Sequence, residues 1–71
     1  EREPAVDLTP RELEVLTCIT RGLNNRDIAT FLNIAEKTVR VHVSSLLGKM
    51  GARDRTQATI YALQRGFVHL E

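Results

Sequence analysis

What this chain lacks narrows it first. Its 71 residues hold one cysteine, Cys18, so no disulfide can close within it. Cys18 lies in an apolar helical run, where a free thiol behaves as a small core side chain. His42 and His69 do not stand at metal-ligand spacing from it, and neither metal nor cofactor is expected. No signal peptide is expected, and no apolar run reaches the roughly 18 residues of a membrane span. A reducing cytoplasm is the expected compartment. A Gly-rich phosphate loop and a Ser/His/Asp constellation are both missing. A chain this short has no room for a substrate pocket and its supporting shell, so an enzyme is not expected. Strand alternation, internal repeats and low-complexity segments are missing too.

Net charge is also scarce, at +1. Its distribution is uneven. Residues 1–14 carry five acidic and two basic side chains, whereas residues 21–55 carry seven basic and three acidic ones. That second stretch contains LNNRDIATFLNIAEKTVRVHVSSLLGKM, from Leu23 to Met50. Ile28, Ala29, Leu32, Ile34 and Val39 have the spacing of two helices packed across a tight joint. Ala29 is small where the helices approach, and Asn33 tolerates the left-handed backbone a joint needs. Such a pair presents its second helix to the major groove of DNA. Basic charge over these same residues supports a nucleic-acid partner.

Boundary signals place four helices, over about 10–21, 25–32, 36–50 and 55–65. Thr9 caps the first, Pro10 suits its first position, and Glu12 can close a capping box. Leu8 and Leu13 are placed as a staple, and Leu13, Val15, Leu16 and Ile19 are expected inward. Gly22 stops this helix. Asn24 caps the second helix, whose inward residues are Ile28, Ala29 and Leu32. The third buries positions 39, 43, 46, 47 and 50 and stops at Gly51. Asp54 caps the fourth, with Ala58 and Ala62 in the core and Phe67 and Val68 closing it. The expected fold is all-α, a four-helix bundle containing a helix-turn-helix, over residues 8–68. Residues 1–7 read as the end of a linker, and 69–71 as a tail without structural weight. The absence of an initial methionine suggests a piece of a larger protein.

The blocks LTPRELEVL, GLNNRDIA, TVRVHVSSLLGKMG and DRTQA resemble the LuxR/GerE-type helix-turn-helix domain. Response regulators similar to the NarL/FixJ group carry that domain at their C-terminus. The resemblance covers about residues 8–68. It implies a cytoplasmic transcription regulator that binds double-stranded DNA sequence-specifically and forms a homodimer on DNA through the last helix. RNA polymerase is an implied partner. An upstream phospho-receiver or ligand-binding domain is implied in the full chain. A sigma-region-4-like or other helical protein-interaction module is the alternative; the DRTQA block favours the LuxR/GerE type.

With 39, 43, 46, 47 and 50 inward, the third helix turns Lys37, Arg40, Val41, Ser44 and Ser45 outward. Val41 suits a thymine methyl, and Arg40 can fork onto guanine or hold a phosphate. The resemblance assigns base reading to Arg40, Val41 and Ser44. Many family members have a basic residue where this chain has Ser44, so the contact there is direct or through water. Expected backbone contacts are Asn25, Arg26, Lys37, Thr38, Ser45, Lys49, Arg55 and Thr56. Asn25 and Arg26 open the second helix, where anions are favoured. Arg55 and Thr56 resemble the family's phosphate-contacting pair. Thr59, Ile60 and Leu63 form the expected dimer contact, unless Ile60 and Leu63 pack internally. His42 and Tyr61 read as packing residues. Ala35 precedes the third helix where family members commonly have serine.

Overall fold

The computed structural model describes residues 7–68. The expected linker end (apart from Asp7) and the tail with His69 lie outside the described residues. Four helices follow one another: α1 Pro10–Thr20, α2 Asn25–Leu32, α3 Glu36–Met50 and α4 Arg55–Gln64. The first and last end one residue before the sequence-based bounds, with Arg21 and Arg65 as C-caps.

Local chemistry sets each boundary. Thr9 Oγ1 accepts from the Glu12 N–H at 3.1 Å, and the Thr9 N–H donates to Glu12 Oε1 at 2.9 Å. This is a complete capping box, with Pro10 at a position that needs no N–H partner. Asn24 Oδ1 accepts from the Asp27 N–H at 2.8 Å, and Asp54 Oδ1 accepts from the Gln57 N–H at 2.9 Å. Asn33 ends α2 at φ 58° and ψ 49°, left-handed backbone that asparagine tolerates better than most residues. The Ile34 N–H then folds back onto the Ala29 carbonyl at 3.0 Å, which makes the joint between α2 and α3 tight. Gly51, at φ 69°, ends α3 in the same way, and the Ala52 N–H returns to the Leu47 carbonyl. Only α3 lacks a side-chain cap, because Ala35 has no oxygen to offer.

The core forms where the four helices meet. Val15, Leu16, Ile28, Val39 and Leu46 are fully buried, joined by Ala58 and Ala62 of α4 and by Val68. Cys18 is buried among them, and burial pushes its thiol pKa up. The helix-turn-helix positions pack as expected: Ile28 and Val39 are buried, while Ala29, Leu32 and Ile34 press against the cluster from its edge. α3 contacts all three other helices, so its orientation is fixed by the whole domain.

One part of the expected α1 stripe is wrong. Leu13 is 39% exposed, and Glu12, only 4% exposed, takes an inward place beside Val15, Leu16 and Ile19. A carboxylate occupies that place because its oxygens are satisfied there: Thr9, Ser45 and Lys49 all donate to it. Leu13, about 100° round the helix from Glu12, is left at the edge.

Candidate nucleic-acid interface

The outer face of α3 carries Lys37, Thr38, Arg40, Val41 and Ser44, all exposed. Val41 is 61% exposed, an apolar side chain kept in water on an otherwise polar face. Arg40 Nη1 lies 3.5 Å from Glu36 Oε2, one turn earlier. The inner face buries Val39, Val43, Leu46 and Met50, with Leu47 half-buried. His42 is half-buried between the two faces, as a packing residue would be.

Two of the expected backbone contacts are engaged elsewhere. Ser45 Oγ donates to Glu12 Oε2 at 2.6 Å. Lys49 Nζ donates to Glu12 Oε1 at 2.8 Å and to the Asp7 carbonyl at 3.2 Å. Both side chains turn toward α1 and not to the face of Arg40. The helical period turns Ser45 outward with Arg40, but in the structure it and Lys49 are drawn to the buried carboxylate of Glu12. Together with the Thr9 N–H they hold the Glu12 carboxyl at a pKa of about 2, against 4.5 ordinarily, although burial pulls the other way.

Beside the exposed face of α3 lies an open hollow. Asn25 and Arg26 line it from α2, Glu36 from α3, and Arg55 and Thr56 from α4. The N-terminal ends of three helices therefore border one concavity. Peptide dipoles make those ends partly positive, and the unpaired N–H groups of each first turn face outward. Arg55 is not free within it. Its Nη1 donates to Asn25 Oδ1, and its Nη2 donates to the Leu23 carbonyl at 2.7 Å. This ties α4 to the start of α2. Arg26 and Thr56 are exposed at the rim. The hollow suits an anion spread over several oxygens.

On α4, Ile60 is 47% and Leu63 37% exposed, so both keep apolar surface in contact with solvent. Thr59 is half-buried and donates to the Arg55 carbonyl at 3.0 Å, within its own helix. Tyr61 packs under the Arg65 guanidinium, 4.7 Å from the ring centre. No helix among the described residues is long and apolar enough to cross a membrane. No group of three potential metal ligands occurs among them either.

The model of the family described as "Bacterial regulatory proteins, luxR family" matches residues 6–62. The chain belongs to this luxR family. It is a helix-turn-helix DNA-binding domain of the kind found in transcription regulators. The transcriptional regulatory protein LnrK of Bacillus subtilis is 52% identical over 61 residues, which are 86% of this chain and 28% of LnrK. The nitrate/nitrite response regulator protein NarP of Escherichia coli is 49% identical over 65 residues, 92% of this chain and 30% of NarP. The luxR-family chain thus spans under a third of these relatives. Among solved structures, the VqmA dimer of Vibrio cholerae, a LuxR-type receptor, superposes with a TM-score of 0.84 at 38% identity. That match covers 89% of this chain and 28% of VqmA.

Two exposed features were not read from the sequence. Glu36 stands in the hollow as a carboxylate among cations. Phe31 is 73% exposed on α2, although its spacing of three from the buried Ile28 puts it nearer the inward side.

Proposed function

We propose that this domain binds double-stranded DNA sequence-specifically as the effector part of a bacterial, cytoplasmic transcription regulator. The family assignment supports the class, and the names of its relatives favour a response regulator. The observation that carries the reading is the pairing of surfaces on one side of the molecule. An exposed, cationic recognition helix lies beside a hollow bordered by three helix N-termini. One surface can enter the major groove while the other receives the backbone phosphates next to it.

In this reading Arg40, Val41 and Ser44 meet base edges. Asn25, Arg26, Lys37, Thr38, Arg55 and Thr56 meet the backbone, Asn25 and Arg55 as a joined pair. Ser45 and Lys49 are left out, because Glu12 holds them. A single domain reads few base pairs, so two copies bind as a homodimer on related half-sites. Ile60 and Leu63 supply the apolar part of that contact, with Thr59 beside them. The domain, over residues 8–68, follows a receiver or ligand-binding domain in the full chain, has no catalytic role, and acts together with RNA polymerase.

The test is binding to labelled duplex across 50 to 200 mM salt. About three phosphate contacts, Arg26, Lys37 and Arg55, give a log–log slope of roughly −3 per subunit. Arg40→Ala should weaken binding by roughly 1–3 kcal/mol and relax the preference at one base pair. A flat salt profile, or unchanged affinity of Arg40→Ala, would overturn the placement of α3.

A further inference from the structure

We infer that Glu36 is a specificity-determining residue: its carboxylate steers Arg40 away from phosphates and toward a neutral base edge. The inference rests on the DNA-binding reading above.

Among the described residues, Glu36 is the only acidic side chain lining the hollow, alongside Asn25, Arg26, Arg55 and Thr56. For phosphate capture alone it is the wrong charge in that place. It also faces Arg40, with 3.5 Å between Glu36 Oε2 and Arg40 Nη1. That separation makes a charge contact and not a short hydrogen bond, so the guanidinium keeps its donors available to a ligand. Both side chains are about half exposed and stay within reach of a duplex.

The pair treats two kinds of acceptor differently. A phosphate carries a full negative charge and is repelled by the carboxylate at the same range at which Arg40 attracts it. Guanine O6 and N7 carry only partial charges within a neutral base, so the carboxylate opposes them far less. Arg40 beside Glu36 therefore loses much of its advantage on phosphate and keeps most of it on guanine. Binding to arbitrary sequence depends almost wholly on phosphates, so it bears most of the cost. Specificity here comes from weakening the wrong complex, a form of discrimination by repulsion. Ordinary helix chemistry explains less of this residue. An acidic side chain in the first turn of α3 suits the helix dipole wherever it points. That effect alone gives no difference between DNA sequences.

The experiment uses this chain, the tightest duplex recovered from a random-sequence selection, and a scrambled duplex of equal length. Glu36→Gln should raise affinity for the scrambled duplex about five- to tenfold and for the selected duplex by no more than about twofold. The salt slope on scrambled DNA should steepen by about one, as Arg40 takes up a phosphate. Glu36→Asp keeps the charge and should keep the wild-type ratio. In an Arg40→Ala background, Glu36→Gln should change both affinities by the same factor. Equal gains on both duplexes with Arg40 present would overturn the role of Glu36 and leave DNA binding standing. If the wild-type chain bound no duplex at all, both readings would fall together. Melting curves of each variant separate a folding defect from a change in recognition.

Discussion

Lys49 Nζ lies 2.8 Å from Glu12 Oε1 and joins the C-terminal half of the recognition helix to the first turn of α1. The carboxylate is 4% exposed, and Ser45 donates to its second oxygen at 2.6 Å. One buried charge thus closes the capping box of α1 and fixes how α3 lies across it.

Acid should release this joint. The folded pKa of Glu12 is about 2, below its ordinary 4.5. Its stabilisation is therefore complete above the unfolded value and is lost as pH falls through the folded one. The difference corresponds to roughly 3 kcal/mol, as an order of magnitude. Glu12→Gln should lower stability at pH 7 by about 2–3 kcal/mol. Its deficit should shrink steadily between about pH 5 and pH 2, as the wild-type carboxyl takes up its proton. Denaturant melts at several pH values would check this. A constant deficit would mean that Glu12 matters only for its shape.

Ala35→Ser should stabilise the domain. Ala35 is exposed and its backbone is already extended, at φ −71° and ψ 146°, as a capping residue requires. A serine oxygen would accept an N–H of the first turn of α3 and add about 0.5–1 kcal/mol. In a domain of this size that raises Tm by a few degrees. A neutral or lowered Tm would show that these N–H groups are already satisfied by water at no cost.

Gly48→Ala should also stabilise. Gly48 lies inside α3, and a Cβ there would meet nothing within 4 Å. Alanine restricts the unfolded chain and suits a helix interior, for a gain of about 0.5–1 kcal/mol. Binding to DNA is the informative second measurement. Stability that rises while affinity falls would place position 48 against the duplex or the partner copy.

Leu63→Glu should separate assembly from recognition. Ile60 and Leu63 are 47% and 37% exposed, so a charge on that face leaves the core intact. Cooperative binding to paired half-sites should fall about tenfold, which is about 1.4 kcal/mol, while binding to a single half-site stays the same. Equal losses on both would indicate unfolding or a different interface.

Much of this was legible because the signals are local. Thr9, Asn24, Asp54 and Gly51 each act within a turn of their own position, and all fall where capping chemistry places them. The inward residues of α3 follow from a 3.6-residue period. Glu12, Ser45 and Lys49 were not legible, because their meeting depends on residues 33 and 37 positions apart. Read alone, Glu12 is a capping residue, and Ser45 and Lys49 are polar surface. Only the packing of α1 on α3 turns them into one buried cluster and sends Leu13 outward. Arg55 shows the same limit. Its position announces a cation at a helix start, but its bond to the Leu23 carbonyl belongs to the assembled fold.

The three helix ends around the hollow have a consequence for how such a domain can change through its descent. If the hollow receives phosphates as proposed, part of the grip comes from the direction in which α2, α3 and α4 run, and no single substitution reverses a helix. On the proposed reading, surface residues such as Arg40, Val41 and Ser44 could therefore be exchanged one at a time, each altering which sequence is preferred, while a hold on the duplex persisted throughout. Descendants of one scaffold can drift from one target to another without passing through a form that has let go.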